Sequence, residues 1–154
     1  MKQLDYHCSI TVGKSAEEAF TNINSVSSWW TENLEGSSRK LNDIFTVRFG
    51  ETFVTTKIIE SIPNKKILWL VTDCWLHWLK NKKEWDGTKI NWEISNKNDS
   101  TQIDMTHIGL VPKIECYIDC EKGWNFYVGE SLFKLITEQK GLPEKKINSQ
   151  QVSM

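Results

Sequence analysis

Hydrophobic and polar residues alternate along several stretches of this chain, as they do in strands that bury one face of a sheet. The fourth stretch, Ile67-Leu68-Trp69-Leu70-Val71, is apolar on both faces, which favours a central position in the sheet. The Asp86-Gly87 pair, ahead of the fifth stretch, is a strong turn signal. The predicted strands cover residues 4–12, 44–49, 53–62, 67–71, 90–94 and 101–110.

Two short helices are predicted between the first and second strands. Ser15 and Glu18 have the spacing of a capping box, in which each side chain accepts a hydrogen bond from the other residue's backbone N–H. Apolar residues then recur at helical spacing up to Ile23. A second cap at Asn24-Ser25 predicts another short helix, which carries Val26 and the Trp29-Trp30 pair.

A long helix is predicted for residues 115–139, where the hydrophobic period changes from two to about four. Gly141 is expected to supply a left-handed residue after this helix, and Pro143 to stop it. Residues 73–85 fit either a strand edge followed by a loop or a short helical turn. The apolar stripe of the long helix consists of Trp124, Val128, Leu132, Leu135 and Ile136.

Length and composition narrow the class of protein. A chain of 154 residues is expected to form one domain, over residues 1–143, with a polar and disordered tail at 144–154. The net charge of −1 argues against a nucleic-acid partner, because such proteins carry basic residues that neutralise phosphates. The absence of a long apolar run or a secretory signal predicts a cytoplasmic protein without a membrane span.

Five short motifs stand in this order along the chain: Ser15-Ala16-Glu17-Glu18-Ala19-Phe20, Trp29-Trp30, Trp92-Glu93-Ile94, Thr106-His107-Ile108-Gly109-Leu110 and Gly123-Trp124. With these motifs the chain resembles the START-like (SRPBCC) superfamily of helix-grip domains. Within it, the chain is similar to the family named after the C-terminal domain of an activator of the ninety-kilodalton heat-shock chaperone ATPase. The resemblance covers nearly the whole chain.

The resemblance implies an α+β fold in which a curved antiparallel sheet of about six strands surrounds the long C-terminal helix. Two short helices would follow the first strand, and a cavity would lie between the sheet and the long helix. Members of the superfamily bind lipids, sterols or polyketides. A ligand held in this cavity is therefore expected to be small and either apolar or aromatic.

The residues expected to contact such a ligand lie on the inward face of the strands and helices. The alternative is a filled core, because aromatic residues at strand and helix spacing usually serve packing. His107 shares a face with Ile103 and Met105, and is more often a pocket or core residue than a catalytic base there. The predicted ligand-binding residues are Trp29, Trp30, Trp69, Trp92, Met105, His107, Trp124 and Val128.

The four cysteines are expected to be reduced thiols in a reducing compartment. Cys74 with His77, and Cys116 with Cys120, are ligand types that zinc accepts, but their spacing fits a zinc site loosely. Packing of Cys116 and Cys120 one helical turn apart is the simpler interpretation. The prediction is accordingly no metal, no cofactor and no catalytic residue.

The sequence and the resemblance together leave three hypotheses for the function. The first is an intracellular binding module for a small apolar or aromatic ligand. The second is an enzyme of the cyclase or hydratase kind that uses His107 or a tyrosine in the same cavity. The third is a protein-interaction domain that acts like the chaperone activator.

Overall fold

The computed structural model describes residues 4–146 of the chain, and the remainder of the predicted tail, 147–154, lies outside them. Within this range, seven strands form one antiparallel sheet in the order β1-β7-β6-β5-β4-β3-β2. The predicted α+β architecture is confirmed. The strands are β1 (Tyr6–Val12), β2 (Leu34–Gly36), β3 (Ile44–Phe49), β4 (Thr52–Ile62), β5 (Lys66–Trp75), β6 (Lys89–Lys97) and β7 (Ser100–Ile108).

Strand β2 is the one element of the sheet that the sequence pattern did not predict. It is three residues long, too short to show an alternating pattern, and it pairs with β3 through Leu34 opposite Val47. Gly36, with φ of 86°, ends it, and a Cβ there would lie 2.3 Å from the backbone oxygen of Ile44. This close approach explains why glycine is needed at the edge of the sheet.

Two helical segments follow β1, as predicted, although the second is a single turn. Helix α1 (Ala16–Asn24) begins at the predicted capping box, since the Glu18 N–H donates to Ser15 Oγ at 3.1 Å. The second segment is a 3₁₀ turn over Val26–Ser28. Trp29 and Trp30 come directly after it, and both side chains are buried. The chain therefore enters the interior of the domain directly after this turn, at the tryptophan pair.

The C-terminal helix runs without a break from Tyr117 to Glu138. It consists of α2 (Tyr117–Phe126), a π-helical segment (Tyr127–Leu132) and α3 (Phe133–Glu138), and the residues at both junctions keep right-handed helical angles. The wider π-helical turn suits the four-residue repeat of Trp124, Val128, Leu132 and Ile136, which would rotate about 40° per repeat on a regular α-helix. All four of these side chains are buried.

The end of this helix differs from the prediction. Gln139, with φ of 63°, adopts the left-handed conformation that Gly141 was expected to adopt. Gly141 instead allows the chain to pass close to the 3₁₀ turn, because a Cβ there would lie 2.2 Å from the carbonyl oxygen of Ser28. The left-handed residue that was predicted after the helix is therefore present at 139 and not at 141, and close packing rather than φ requires the glycine at 141.

Residues 144–146, the start of the predicted tail, lie against the segment that follows Trp30. Glu144 forms a parallel bridge with Thr31, and its N–H donates to the Trp30 carbonyl at 2.9 Å. The Lys146 N–H donates to Glu32 Oε1 at 2.9 Å. These contacts hold the chain beyond Pro143 to the domain.

Candidate functional site

A pocket of about 280 Å³ lies between the sheet and helix α2. Strands β3 and β4, Trp30, the loop of residues 76–85 and the helix each contribute side chains to its wall. An apolar cavity of about 150 Å³ holds one benzene molecule, so this volume suits a molecule of one or two rings. The pocket is lined by Trp30, Phe49, Thr52, Val54, Leu76, Trp78, Trp85, Asp119, Cys120, Gly123, Trp124 and Tyr127.

Five aromatic rings run along the pocket wall in an unbroken series. Trp85 stacks on Trp124 with ring centres 6.0 Å apart, and Trp124 contacts Trp30 at 5.0 Å. Phe49 lies 6.0 Å from Trp30 on one side and 6.0 Å from Tyr127 on the other. Rings that pack against one another are held in place, so the wall is formed before any ligand arrives.

Gly123 leaves open space in the wall on the helix side. A Cβ built on this residue would meet nothing within 4 Å, although the residue lines the pocket. A helix glycine costs roughly 1 kcal/mol relative to alanine. Gly129, six residues further along the helix, is equally free of contacts but lies exposed outside the pocket. Gly123 therefore sets the depth of the pocket beneath the helix.

The mouth of the pocket is bridged by Trp78 and Asp119. Trp78, on the 76–85 loop, is 49% exposed, and its Nε1 donates to Asp119 Oδ2 of helix α2 at 3.1 Å. This hydrogen bond fixes the ring beside the opening.

The 76–85 loop and the start of helix α2 are joined by two carboxylates, one on each element, and each accepts hydrogen bonds from the backbone of the other element. Glu84, on the loop, accepts the backbone N–H of Cys116 at 2.8 Å and that of Glu115 at 3.2 Å. Glu115 in turn accepts the N–H groups of Lys80 and Asn81 at 3.1 and 3.3 Å. Glu84 thereby satisfies N–H groups at the helix start that have no partner within the helix.

Behind the wall, His107 is buried completely and both of its ring nitrogens are hydrogen-bonded. Trp124 Nε1 donates to Nδ1 at 3.0 Å, and Nε2 lies 2.9 Å from Thr88 Oγ1. Burial lowers the pKa of His107 from 6.5 to about 3, because a charged imidazole would lose its hydration. The residue is therefore a neutral member of the core that holds Trp124 in position.

The structure brings the eight predicted ligand-binding residues together, and two of them, Trp30 and Trp124, line the pocket. Trp30 also belongs to a closed group of four rings with Trp29, Trp69 and Trp92, in which successive centres lie 5.4 to 6.1 Å apart. The remaining residues are fully buried in the core behind the pocket wall. They are Met105, His107 and Val128.

Other wall residues were not singled out from the sequence. Phe49 and Tyr127 occupy positions at strand and helix spacing that look like ordinary packing positions. Trp78 and Asp119 meet only because the 76–85 loop folds onto helix α2. A glycine inside a predicted apolar helix was the one available signal; Gly123 and Gly129 both carry it, and only Gly123 lines the pocket.

All four cysteines are free thiols. Burial raises the pKa of Cys74 to about 12. The Cys116 thiol also has a raised pKa, first because of its neighbour Cys120 and then because of burial. Within residues 4–146, no group of three or more His, Cys, Asp or Glu side chains is placed to hold a metal ion. The Cys74–His77 and Cys116–Cys120 pairs are accordingly not assembled into a zinc site.

No family model matches this chain, and no curated protein matches it significantly in sequence. Solved structures do match. The structure of the Aha1 dimer from Colwellia psychrerythraea has a TM-score of 0.72 and 20% identity, over 92% of this chain and 100% of that one.

Two further structures show the same fold. DynU16, from the dynemicin biosynthetic locus, has a TM-score of 0.67 and 14% identity over 88% of this chain, which spans 48% of that protein. EF2215 from Enterococcus faecalis, a protein of unknown function, has a TM-score of 0.62 and 14% identity, over 95% of this chain and 78% of that one. The resemblance inferred from the sequence motifs is confirmed as structural similarity, and the likeness establishes the fold.

Among the residues that the structure describes, none of the helices combines the length and the hydropathy needed to cross a bilayer.

Proposed function

We propose that this domain is an intracellular protein that binds a small apolar or aromatic molecule in the pocket between sheet and helix. The observation that carries the proposal is the pre-formed aromatic wall around a space of about 280 Å³. A wall that is ordered beforehand spares the ligand part of the free-energy cost of immobilising side chains. Pockets that bind small molecules are of this kind, mostly apolar with a few polar groups.

The packing around the pocket supports this function over a purely structural one. Gly123 leaves the wall open where an alanine would favour the helix by roughly 1 kcal/mol. Trp78 stays half exposed at the opening, although Leu76 and Leu79 of the same loop are buried. Both features reduce the stability of the domain or leave apolar surface in water, and a bound ligand offsets both.

The enzyme alternative receives less support from the titratable groups. A general acid or base works best with a pKa near the operating pH. Burial moves the pKa of His107 down to about 3, and burial moves the pKa of Tyr127 upward. Neither His107 nor Tyr127 has a hydrogen bond to a carboxylate within residues 4–146. The interaction-domain alternative rests on likeness of fold alone.

Calorimetric titration with indole, a neutral two-ring compound, tests the proposal. Indole should bind the native protein with a negative heat-capacity change, because apolar surface is buried. Gly123→Leu should abolish this binding, since the new side chain projects into the pocket. Gly129→Leu is the matched control, because it adds the same side chain to the same helix outside the pocket.

Two outcomes would contradict the proposal. The first is that native protein takes up no indole at the solubility limit of the compound. The second is that Gly123→Leu binds indole as well as Gly129→Leu does. Circular dichroism of both variants verifies that each one is folded before it is titrated.

A further inference from the structure

The pocket is lined by many aromatic rings and by one acidic side chain. Six of the twelve lining residues are aromatic, and Asp119 is the one lining side chain that carries a charge at neutral pH. Within the described chain, the lining contains no lysine, arginine or histidine. The interior is therefore surrounded by aromatic rings, and its mouth carries a negative charge.

Aromatic rings favour cations through their electron-rich faces. An ammonium group within about 6 Å of a tryptophan, tyrosine or phenylalanine ring centre is attracted by the ring, and tryptophan is the strongest of the three. Four of the six rings in this pocket are tryptophan: Trp30, Trp78, Trp85 and Trp124. A cation that leaves water needs such compensation, since burial of an unpaired charge is costly.

Asp119 is available to complete the recognition of a cation. Its Oδ2 accepts the Trp78 Nε1–H, which holds the carboxylate at the mouth. Within residues 4–146, no hydrogen bond involves its Oδ1. The carboxylate can therefore face a ligand without losing its bond to Trp78. An anionic ligand, in contrast, would meet this carboxylate with no basic side chain in the wall to balance its charge.

We propose that the ligand of this pocket is a small aromatic or apolar molecule that bears an ammonium group. The ammonium group lies near the mouth, between the tryptophan rings and the Asp119 carboxylate, and the apolar part fills the space beneath Gly123. This inference rests on the proposed binding function and specifies the chemical class of the ligand. Fatty acids and other small carboxylates are excluded from the class by the same charges.

Two compounds of the same shape and different charge test separately whether the pocket binds a small molecule and whether it prefers a cation. Phenyltrimethylammonium is cationic, and tert-butylbenzene is its neutral counterpart with carbon in place of nitrogen. Both fit a pocket suited to one or two rings. The native protein should bind the cation about tenfold more tightly, or by about 1.4 kcal/mol, which lies between the strengths of exposed and fully desolvated cation–π contacts. Nuclear magnetic resonance titration measures both affinities.

The contribution of the carboxylate is tested by Asp119→Asn. The asparagine side-chain oxygen can still accept the Trp78 N–H, so the variant removes the charge and keeps the mouth in place. It should weaken binding of phenyltrimethylammonium by about fivefold at low salt and leave tert-butylbenzene unchanged. Glu130→Gln, an exposed carboxylate on the same helix outside the pocket, is the control and should change neither affinity.

Each outcome bears on the binding function, on the cationic ligand or on both. Equal or tighter binding of tert-butylbenzene overturns the cationic ligand and leaves the binding function standing. Binding of neither compound contradicts both. Binding of phenyltrimethylammonium that persists in Gly123→Leu, or that Asp119→Asn and Glu130→Gln weaken equally, places the cation elsewhere on the surface and overturns this inference.

Discussion

Trp124 Nε1 donates a hydrogen bond to His107 Nδ1 across 3.0 Å in the interior of the domain. Because an indole nitrogen only donates, Nδ1 must be the acceptor and Nε2 must carry the imidazole proton. Nε2 then donates to Thr88 Oγ1, whose own proton goes to the Trp85 carbonyl at 2.7 Å. One neutral histidine thus connects the ring of Trp124 with the backbone of Trp85, and both residues belong to the pocket wall.

This relationship predicts how stability depends on pH. The pKa of His107 is about 3 in the folded state and about 6.5 when unfolded. Between these values the unfolded chain binds a proton that the folded chain does not. The free energy of unfolding should therefore fall as pH decreases from about 6.5 towards 3, by up to about 1.4 kcal/mol per pH unit from this residue. Above pH 6.5 His107 should add no slope.

Urea denaturation of native protein and of His107→Gln at several pH values measures this contribution. The native protein should be more stable at pH 7, and its advantage over the variant should shrink steadily as pH falls towards 4. His7→Gln, at an exposed position, controls for removal of a histidine as such. An advantage that stays constant from pH 7 to 4 would show that His107 accepts a proton in the folded state.

Leu132 is predicted to be one of the main anchors of the C-terminal helix. It is fully buried. Leu132→Ala should lower the free energy of unfolding by about 2–5 kcal/mol, because it removes apolar contacts and leaves a cavity. Ile118→Ala, at a residue 65% exposed on the same helical run, should cost less than about 0.5 kcal/mol. Equal effects in chemical denaturation would contradict the helix orientation.

Ser131 ties the π-helical segment to two other parts of the chain. Its Oγ donates to the Trp29 carbonyl at 2.6 Å and accepts the Leu142 N–H at 2.7 Å. Ser131→Ala leaves these groups without a partner and should destabilise the domain by about 1–3 kcal/mol. The exposed Ser27→Ala should change stability by less than about 0.5 kcal/mol. Thermal unfolding of both variants checks the difference, and equal melting temperatures would refute it.

The sequence predicts the long periodic elements well, because their hydrophobic pattern directly reflects burial. Strand β4 was expected from Phe53 to Ile62 and extends from Thr52 to Ile62. The course of residues 76–85 could not be predicted. It is held by hydrogen bonds from the Lys80 backbone N–H to Glu115 and from Trp78 Nε1 to Asp119, and both acceptors lie more than thirty positions further along the chain.

The pocket shows that sequence patterns are limited in the same way for single side chains. Trp29 and Trp30 are adjacent and chemically identical, yet Trp30 lines the pocket and Trp29 lies in the core behind it. Periodicity identifies buried residues, but it does not separate a residue that lines a cavity from one that fills the core.

The binding site is tested most directly by the indole N–H resonances of the eight tryptophans in a ¹⁵N-labelled sample titrated with unlabelled indole. The signals of Trp30, Trp78, Trp85 and Trp124, which line the pocket, should move with one common dissociation constant. Trp75, which is exposed outside the pocket, should not move. Single Trp→Phe variants assign the signals. Shifts confined to Trp75, or no shifts in the four pocket tryptophans at saturating indole, would contradict binding in this pocket.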